Sequence, residues 1–294
     1  VGIAQRIVVA PTRPGETYVS RIFPVRIEPA LLTFDIWIVD MDGRPCEILR
    51  GVAMRDVSGG RLQAPDWIRA PKEDHSVARI AAHCESAVLI ERSTLMPFAD
   101  RCLSARELLP TDRMGAKRRT DFLSSRLACK RLYRRLSGHD DQTPARDIGT
   151  LAADGIRPAV GGAPYHCSVA HDRRFTVAVA GRDPIGVDVE RLDGRVLKSL
   201  RIFMDAGEQE TVRVSALGAV GAAVRVWTIK EAVAKMLNIH LADSWARTRV
   251  VAIGAEQSQI RIGDGPTAVA VHQQVGDHLI TLVHQWEIFK GDMR

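Results

Sequence analysis

Residues 175–190 read FTVAVAGRDPIGVDVE, and this stretch decides which fold the sequence predicts. It contains two β-rich runs, 175–181 and 185–190, separated by a short turn. In the second run, alternation along a strand sends Asp188 and Glu190 to the same face, about 7 Å apart. Two carboxylates on a half-buried sheet suit a hard cation such as Mg²⁺. The alternative is an ordinary amphipathic strand with its acidic face in water.

Helical and strand-like segments surround these runs. A long helical stretch, 104–136, is interrupted near Pro110, and further helices are expected at about 205–217 and 222–239. A strand is expected at 86–95, and the closing β-runs are RTRVVAIG, QIRIG, TAVAVHQQ and HLITLVHQW. Each half of this region therefore has a helix and several strands, which favours an α+β arrangement over a doubly wound α/β one.

The first part of the chain reads as a separate piece. Residues 1–57 form a β-rich segment, and an Asp-Gly pair at Asp42 and Gly43 between two β-rich runs predicts a hairpin. Residues 58–77 carry Gly, Pro and charge without periodicity and are interpreted as a linker. Because the chain starts at Val1 without Met, we expect it to be a segment of something longer.

The composition of the chain and the motifs that it lacks argue against several classes of protein. The 294 residues are 46% hydrophobic and 26% charged, which is typical of a globular protein. The five cysteines are odd in number and widely spaced, so neither a disulfide framework nor a CxxC metal site is indicated, and a cytoplasmic location is expected. No stretch approaches the roughly 20 apolar residues of a membrane span. No GxGxxG, GxxxxGK[ST] or HExxH motif occurs.

The positive charge is concentrated in one region. The chain carries a net +6, and residues 101–140 contain 11 Lys and Arg against four Asp and Glu. This local excess indicates one anion-facing element, with a solvated helix face as the alternative. A nucleic-acid-binding module is a further alternative, although aromatic residues make up only 5% of the chain and no binding motif is present.

Residues 227–235, WTIKEAVAK, form a strong helix pattern. Trp227, Glu231 and Lys235 follow one another at intervals of four and share one face, with Glu231 placed before Lys235 in the favourable order for an ion pair. A surface ion pair beside a core tryptophan is the alternative. Combined with the carboxylates of residues 185–190, Glu231 supplies a third oxygen ligand.

Two further segments point to phosphate binding. In residues 122–130, FLSSRLACK, the spacing of four places Arg126 and Lys130 on one helical stripe, which suits a phosphate monoester. Residues 165–172, YHCSVAHD, form a cluster of polar residues immediately before a predicted strand. Ser168 and His171 in this cluster are expected to contact a second phosphate. A structural histidine is the alternative there.

The four segments lie in this order within residues 122–235 and resemble the surfactin-type 4′-phosphopantetheinyl transferases. The family patterns are F-x-x-x-R-x-x-x-K, S-x-S-H, G-[VI]-D-[VI]-E and W-[ST]-x-K-E-[AS]-x-x-K. The last two are specific together, whereas the first two are weak individually. The resemblance covers roughly residues 86–286.

The resemblance implies two similar α/β subdomains, 78–183 and 184–294, in a pseudo-two-fold arrangement with coenzyme A in the cleft between them. The chain departs from the family around the histidine. Ala170 stands where a serine is usual, and Asp172-Arg173-Arg174 stand where the family has a small turn containing glycine. A hydroxyl contact at residue 170 is therefore not supported, and an arginine is the alternative donor.

The implied reaction is Mg²⁺-dependent transfer of 4′-phosphopantetheine from coenzyme A to a serine of an acyl or peptidyl carrier protein. The resemblance implies Asp188, Glu190 and Glu231 as metal ligands. Glu231 also accepts the serine proton, and Lys235 stabilises charge on the pyrophosphate. The implied coenzyme-binding residues are Arg126, Lys130, Ser168 and His171. A catalytically silent module that docks carrier proteins is the alternative.

Residues 33–57 carry a second, weaker resemblance, to the last strands of a hotdog-fold dehydratase domain from a polyketide or polyunsaturated-fatty-acid synthase. Such synthases sometimes end in an integrated phosphopantetheinyl transferase. The resemblance implies that the carrier protein can lie in the same parent polypeptide, as part of fatty acid or polyketide biosynthesis. No nucleic-acid or membrane partner is expected.

Overall fold

The computed structural model describes residues 2–28, 31–55, 75–92, 102–137, 143, 145–152, 154, 157–160 and 164–284. The chain divides into two compact units. The first comprises Val1–His75 and Gln142–Asp147, and the second comprises Ser76–Asp141 and Ile148–Arg294. Most of the predicted linker, residues 58–74, lies outside the described residues. Apart from residues 143 and 145–147, which belong to the first unit, the described residues of both predicted subdomains belong to the second unit, and the boundary between them at 183/184 stays a prediction.

The first unit is built on a four-stranded antiparallel sheet with the order β1-β4-β3-β2. Its strands are β1 (Gly2–Val8), β2 (Val19–Glu28), β3 (Leu31–Val39) and β4 (Pro45–Arg55). The turn between β3 and β4 depends on Gly43, whose φ of 79° lies in the left-handed region, and on Asp40 Oδ1, which accepts the backbone N–H of Asp42 at 2.8 Å. The predicted hairpin is confirmed, and the hotdog assignment stays a prediction.

The second unit is a mixed α/β structure with two antiparallel sheets and, in the described residues, seven α-helices. The helices are α1 (Ala78–Ala81), α2 (Ala105–Leu108), α3 (Ala116–Ser137), α4 (Leu200–Phe203), α5 (Ala206–Arg213), α6 (Gly218–Leu237) and α7 (Leu241–Arg247). The strands are β5 (Ser86–Glu91), β6 (His166–His171), β7 (Phe175–Gly181), β8 (Ile185–Arg191), β9 (Thr248–Ala252), β10 (Gln257–Ile262), β11 (Thr267–Val275) and β12 (His278–His284). Within the described residues, no helix is long and apolar enough to cross a membrane.

The smaller sheet has the order β5-β7-β6 and packs against α3. The middle of helix α3, residues 123–130, is buried on all sides, and Leu123, Leu127 and Leu132 pack in the core with side chains of the sheet. The interruption expected near Pro110 is confirmed, since α2 ends at Leu108 and α3 begins at Ala116. The cluster of polar residues predicted before a strand is itself largely a strand. Residues 166–171 form β6, in which the buried side chains Ser168 and Ala170 alternate with less buried ones.

The larger sheet has the order β8-β12-β11-β10-β9 and packs against α6. Helix α6 buries Val226, Ile229 and Val233 and ends at Asn238, whose φ of 53° closes the helix in the left-handed conformation. Helix α7 was not predicted, because its sequence LADSWAR is short and weakly periodic. The pseudo-two-fold relation between the two halves stays a prediction.

Strand β8 meets α6 at Gly186. A Cβ atom at this position would lie 1.9 Å from the carbonyl oxygen of Ala232 and 2.8 Å from the backbone nitrogen of Met236. Only a residue without a side chain therefore fits between strand and helix here. This contact brings the carboxylates of β8 close to the polar face of α6.

A buried row of polar side chains also joins α6 to the larger sheet. Thr228 Oγ1 lies 2.7 Å from Thr281 Oγ1, which lies 2.9 Å from His272 Nδ1. On the other side of the ring, His272 Nε2 lies 2.8 Å from Ser258 Oγ. Because all four side chains are buried, these hydrogen bonds satisfy groups that water cannot reach.

We expect the Gly186→Ala substitution to lower the free energy of unfolding by about 3 kcal/mol or more, because the helix backbone must move away from β8. Chemical denaturation measures this loss. The Gly149→Ala substitution is the control, since a Cβ atom there meets nothing within 4 Å. Equal stability of the Gly186→Ala and Gly149→Ala proteins would contradict the close packing.

A second prediction concerns pH. Burial, followed by the charge of Arg225, lowers the pKa of His272 from 6.5 to about 3. Between these two pKa values, His272 is protonated in the unfolded chain and neutral in the folded protein. The free energy of unfolding therefore falls by about 1.4 kcal/mol for each pH unit of acidification in this range. The His272→Gln protein should show a flatter dependence between pH 4 and 6, and the exposed His240→Gln should match the wild type. A protonated His272 ring in the folded protein at pH 5, measured by NMR, would refute the assignment.

Candidate functional site

The candidate site begins with the alternation of strand β8. Val187 and Val189 are buried in the core on one face of the strand. Asp188 and Glu190 therefore extend from the opposite face, as predicted from the sequence. Asp188 is buried and Glu190 is half-buried. The neighbouring strand β12 places Thr281 directly opposite Asp188.

Helix α6 supplies a cation to these carboxylates. Lys235 Nζ donates to Asp188 Oδ1 at 2.7 Å and to the carbonyl oxygen of Val187 at 3.1 Å. It also lies 3.8 Å from Glu231 Oε2, one helical turn earlier. The structure thus brings together Asp188, Glu231 and Lys235 across the contact between β8 and α6.

Trp227 completes this face of α6. Its indole Nε1 donates to Glu190 Oε1 at 3.3 Å. The ring also packs against Phe203 and Trp245, at centroid distances of 5.0 and 5.9 Å. The tryptophan is therefore both a packing residue and a hydrogen-bond donor that orients one of the predicted metal ligands.

Burial and mutual repulsion change the acidity of the two glutamates. Burial, followed by the charge of Asp188, raises the pKa of Glu190 from 4.5 to about 7. The same two causes, in the same order, raise the pKa of Glu231 from 4.5 to about 7. Lys235 opposes both shifts. Three carboxylates thus share one nearby ammonium group, which leaves the site short of positive charge.

The donor set fits a divalent cation. The Oδ2 atom of Asp188 is buried and has no hydrogen-bond partner among the described residues. Carboxylate oxygens are the ligands that Mg²⁺ prefers, and a cation would relieve the repulsion between these groups. Within the described residues, no group of three or more His, Cys, Asp or Glu side chains is already arranged to hold a metal ion.

His171 stands at the exposed end of β6. Its Nδ1 atom lies 3.7 Å from Asp121 Oδ1, and Arg92 Nη2 donates to the same oxygen at 2.7 Å. Burial lowers the pKa of His171, Asp121 raises it, and Arg92 and Lys235 lower it further. His171 therefore lies in a charged environment that includes the lysine of the carboxylate cluster.

The structure does not bring the other predicted coenzyme contacts to the surface. Arg126 is buried and donates to the carbonyl oxygen of Thr150. Lys130 is also buried, with Nζ 2.7 Å from the carbonyl oxygen of Ile148 and 2.8 Å from Glu107 Oε2. Their bonds tie α3 to the segment around residues 148–150, and direct contact with phosphate stays a prediction.

Ser168 is likewise buried. Its hydroxyl oxygen accepts the backbone N–H of Val187 at 3.1 Å, which connects the middle of β6 to β8. This bond lies beside the strand that carries the carboxylates. Its contact with a second phosphate also stays a prediction.

Sequence patterns did not assign a role to four residues near the site, Arg92, Asp121, Asp172 and His278. Arg92 donates to Asp121 and to the backbone carbonyl of Asp172, whose carboxylate lies 2.6 Å from His278 Nε2. These residues are far apart in the chain, and no spacing rule relates them. The only signal was the unusual Asp172-Arg173-Arg174 sequence after His171.

Comparison with known proteins gives one positive result. Residues 184–283, about a third of the chain, match the family model of the 4′-phosphopantetheinyl transferase superfamily. A search of curated proteins found no match. The matched range includes Asp188, Glu190, Glu231 and Lys235. The chain therefore contains a 4′-phosphopantetheinyl transferase superfamily domain at residues 184–283.

Proposed function

We propose that the protein transfers 4′-phosphopantetheine from coenzyme A to a serine hydroxyl of an acyl or peptidyl carrier protein, converting the apo form to the holo form. The observation that carries this proposal is the convergence of Asp188, Glu231 and Lys235 where β8 meets α6, inside the range that matches the superfamily. The second product is adenosine 3′,5′-bisphosphate. The reaction is a phosphoryl transfer, which depends on positioning and on charge neutralisation.

Asp188, Glu190 and Glu231 would hold Mg²⁺. The support is the unpartnered Oδ2 atom of Asp188 and the raised pKa of both glutamates, which mark an acidic site lacking positive charge. When bound, the ion neutralises charge on the pyrophosphate of the coenzyme. Trp227 orients Glu190 through its indole N–H.

Glu231 is the proposed base. Without a cation, burial and the charge of Asp188 raise the pKa of the Glu231 carboxyl group to about 7. A cation bound beside it would keep the group in the ionised form that accepts a proton. The role of Glu231 is to remove the proton of the carrier serine as the oxygen attacks phosphorus. Lys235 is half-buried, and its ammonium group would stabilise the developing charge on the pyrophosphate oxygens.

His171 is the proposed coenzyme contact best supported by exposure, since it stands at the surface end of β6. It lies close enough to Lys235 for the lysine charge to lower its pKa. The imidazole would donate a hydrogen bond to a coenzyme phosphate. Ser168, Arg126 and Lys130 are proposed to act on the same coenzyme, and their buried positions favour support of the surrounding backbone.

We also propose that residues 1–57 are the end of a dehydratase domain from a megasynthase whose carrier domain lies in the same polypeptide. The support is the antiparallel sheet of β1 to β4 and the resemblance of residues 33–57. A cytoplasmic location goes with this proposal.

Mass spectrometry tests the proposed reaction. An apo carrier protein incubated with the protein, coenzyme A and Mg²⁺ should gain the mass of one 4′-phosphopantetheine group on its serine. No mass gain with acyl or peptidyl carrier proteins would reject the proposal. Binding of the carrier without transfer would instead favour the docking module, and salt-sensitive binding of DNA would favour the nucleic-acid-binding alternative.

The metal assignment predicts the effect of Asp188→Asn. We expect kcat to fall by about a hundredfold or more, because the site loses one charged ligand and Lys235 loses the negative charge of its partner. Steady-state transfer kinetics over a range of Mg²⁺ concentrations give the measurement. Asp183→Asn, at an exposed position five residues earlier, should retain wild-type kinetics. Full activity of the Asp188→Asn protein would eliminate this carboxylate as a ligand.

Arg126→Ala distinguishes direct from indirect action on the coenzyme. Because the guanidinium is buried and bonded to Thr150, we expect a lower melting temperature and an equal change in KM for coenzyme A and for its 3′-dephospho form. Thermal unfolding and kinetics with both substrates provide the test. A rise in KM confined to coenzyme A would instead establish direct contact with the 3′-phosphate.

A further inference from the structure

The turn between β6 and β7 is held by the carboxylate of Asp172. Its Oδ1 atom accepts the backbone N–H groups of Arg174 at 2.8 Å and Phe175 at 2.7 Å. The backbone N–H of Asp172 donates to the carbonyl oxygen of Phe175 at 2.9 Å, which closes the hairpin. One carboxylate oxygen therefore fixes the turn that directly follows His171.

The second oxygen of this carboxylate reaches the larger sheet. Oδ2 of Asp172 lies 2.6 Å from His278 Nε2, and both side chains are nearly buried. The ring of His278 also packs edge-on against Phe175, with centroids 4.9 Å apart. The hairpin that carries His171 is thus joined to the first residue of β12.

Strand β12 is the neighbour of the carboxylate strand. In the register of these strands, Leu279 lies opposite Glu190 and Thr281 lies opposite Asp188. His278 is therefore next in sequence to the residue that pairs with Glu190. The contact between Asp172 and His278 connects the exposed histidine to the strand pair that carries two of the proposed metal ligands.

The other side of the same turn is also fixed. Arg92 donates to the backbone carbonyl of Asp172 through Nη1 and to Asp121 Oδ1 through Nη2, the latter at 2.7 Å. By contrast, Arg174 pairs with Glu91 at the surface, and this ion pair is exposed. The buried contacts hold the turn between α3, β5 and β12, whereas the Arg174 pair does not reach the larger sheet.

We propose that Asp172 and His278 are positioning residues that set the distance between His171 and the carboxylates of β8, and so determine how tightly a phosphate-bearing coenzyme binds across both. The inference rests on the proposed function, because it concerns the same substrate. A coenzyme held at one end by His171 and at the other by a cation on the β8 carboxylates would require a fixed separation of the two groups. The Asp172–His278 contact links the end of β6 that carries His171 to the partner strand of β8, in addition to the bond between Ser168 and Val187 in the middle of β6.

The main test variant is His278→Phe, which keeps the ring packing on Phe175 and removes the donor to Asp172. We expect KM for coenzyme A and the dissociation constant of adenosine 3′,5′-bisphosphate, measured by calorimetry, to rise about tenfold. The value of kcat should change less than about threefold, because the carboxylates and Lys235 remain in place. His278→Gln restores an N–H donor and should recover most of the lost affinity.

Arg182→Gln is the matched control. It removes an exposed ion pair, with Glu85, at the opposite end of β7, leaves the Asp172 contacts intact and should keep both constants within about twofold of the wild type. If His278→Phe does not fold, Asp172→Asn is the second variant, since it keeps an acceptor oxygen for the turn and removes the charge from the contact.

The outcomes separate this inference from the proposed function. Wild-type transfer with unchanged KM and dissociation constants in both variants would overturn the inference alone. A loss of kcat and thermal stability at constant KM would also overturn it, because that pattern belongs to a structural role. Absence of transfer by the wild type would reject the proposed function. The dissociation constants of adenosine 3′,5′-bisphosphate measured by calorimetry would still decide whether Asp172 and His278 affect its binding.

Discussion

The contact of Gly186 with the backbone of α6 is the constraint on which the candidate site depends. A strand carrying acidic side chains can lie this close to a helix only where one residue has no Cβ atom. The approach places Asp188 within 2.7 Å of Lys235 and brings Glu231 into the same cluster. Because the side chains of β8 alternate, Val187 and Val189 lie on the opposite face of the strand, where they are buried in the core with side chains of β5, β6 and β7.

The acidic cluster is costly to fold, and bonds outside it stabilise its framework. Helix α6 is fixed by Lys230, whose Nζ atom lies 2.7 Å from Glu208 Oε2 and 2.6 Å from the carbonyl oxygen of Phe203. Arg225 donates to the carbonyl oxygens of Gly254 and Ala255 at 3.0 and 2.9 Å. These buried, fully bonded cations point away from the carboxylates, so Lys235 remains the cation that contacts Asp188 in the described structure.

The fold and the acidic cluster were largely predictable from the sequence, whereas the surroundings of the predicted phosphate contacts were not. Strand alternation placed Asp188 and Glu190 on one face, and helical spacing placed Lys235 near Glu231. The spacing of four also places Arg126 and Lys130 on one face of the helix, but spacing does not show whether that face is exposed to solvent or buried. Packing decided this, because Glu107 and the carbonyl oxygen of Ile148 bind Lys130, and the carbonyl oxygen of Thr150 binds Arg126. The contact between Asp172 and His278 joins residues 106 positions apart, beyond the reach of any local pattern.

The central claim is that β8 and α6 together form a divalent cation site on which transfer from coenzyme A depends. Anomalous diffraction from a crystal of the protein with Mn²⁺ and coenzyme A tests it most directly. The account predicts a manganese peak within coordination distance of Asp188, Glu190 and Glu231, beside the pyrophosphate of the coenzyme. A peak elsewhere, or coenzyme bound in the cleft with these carboxylates contacting no metal, would contradict it.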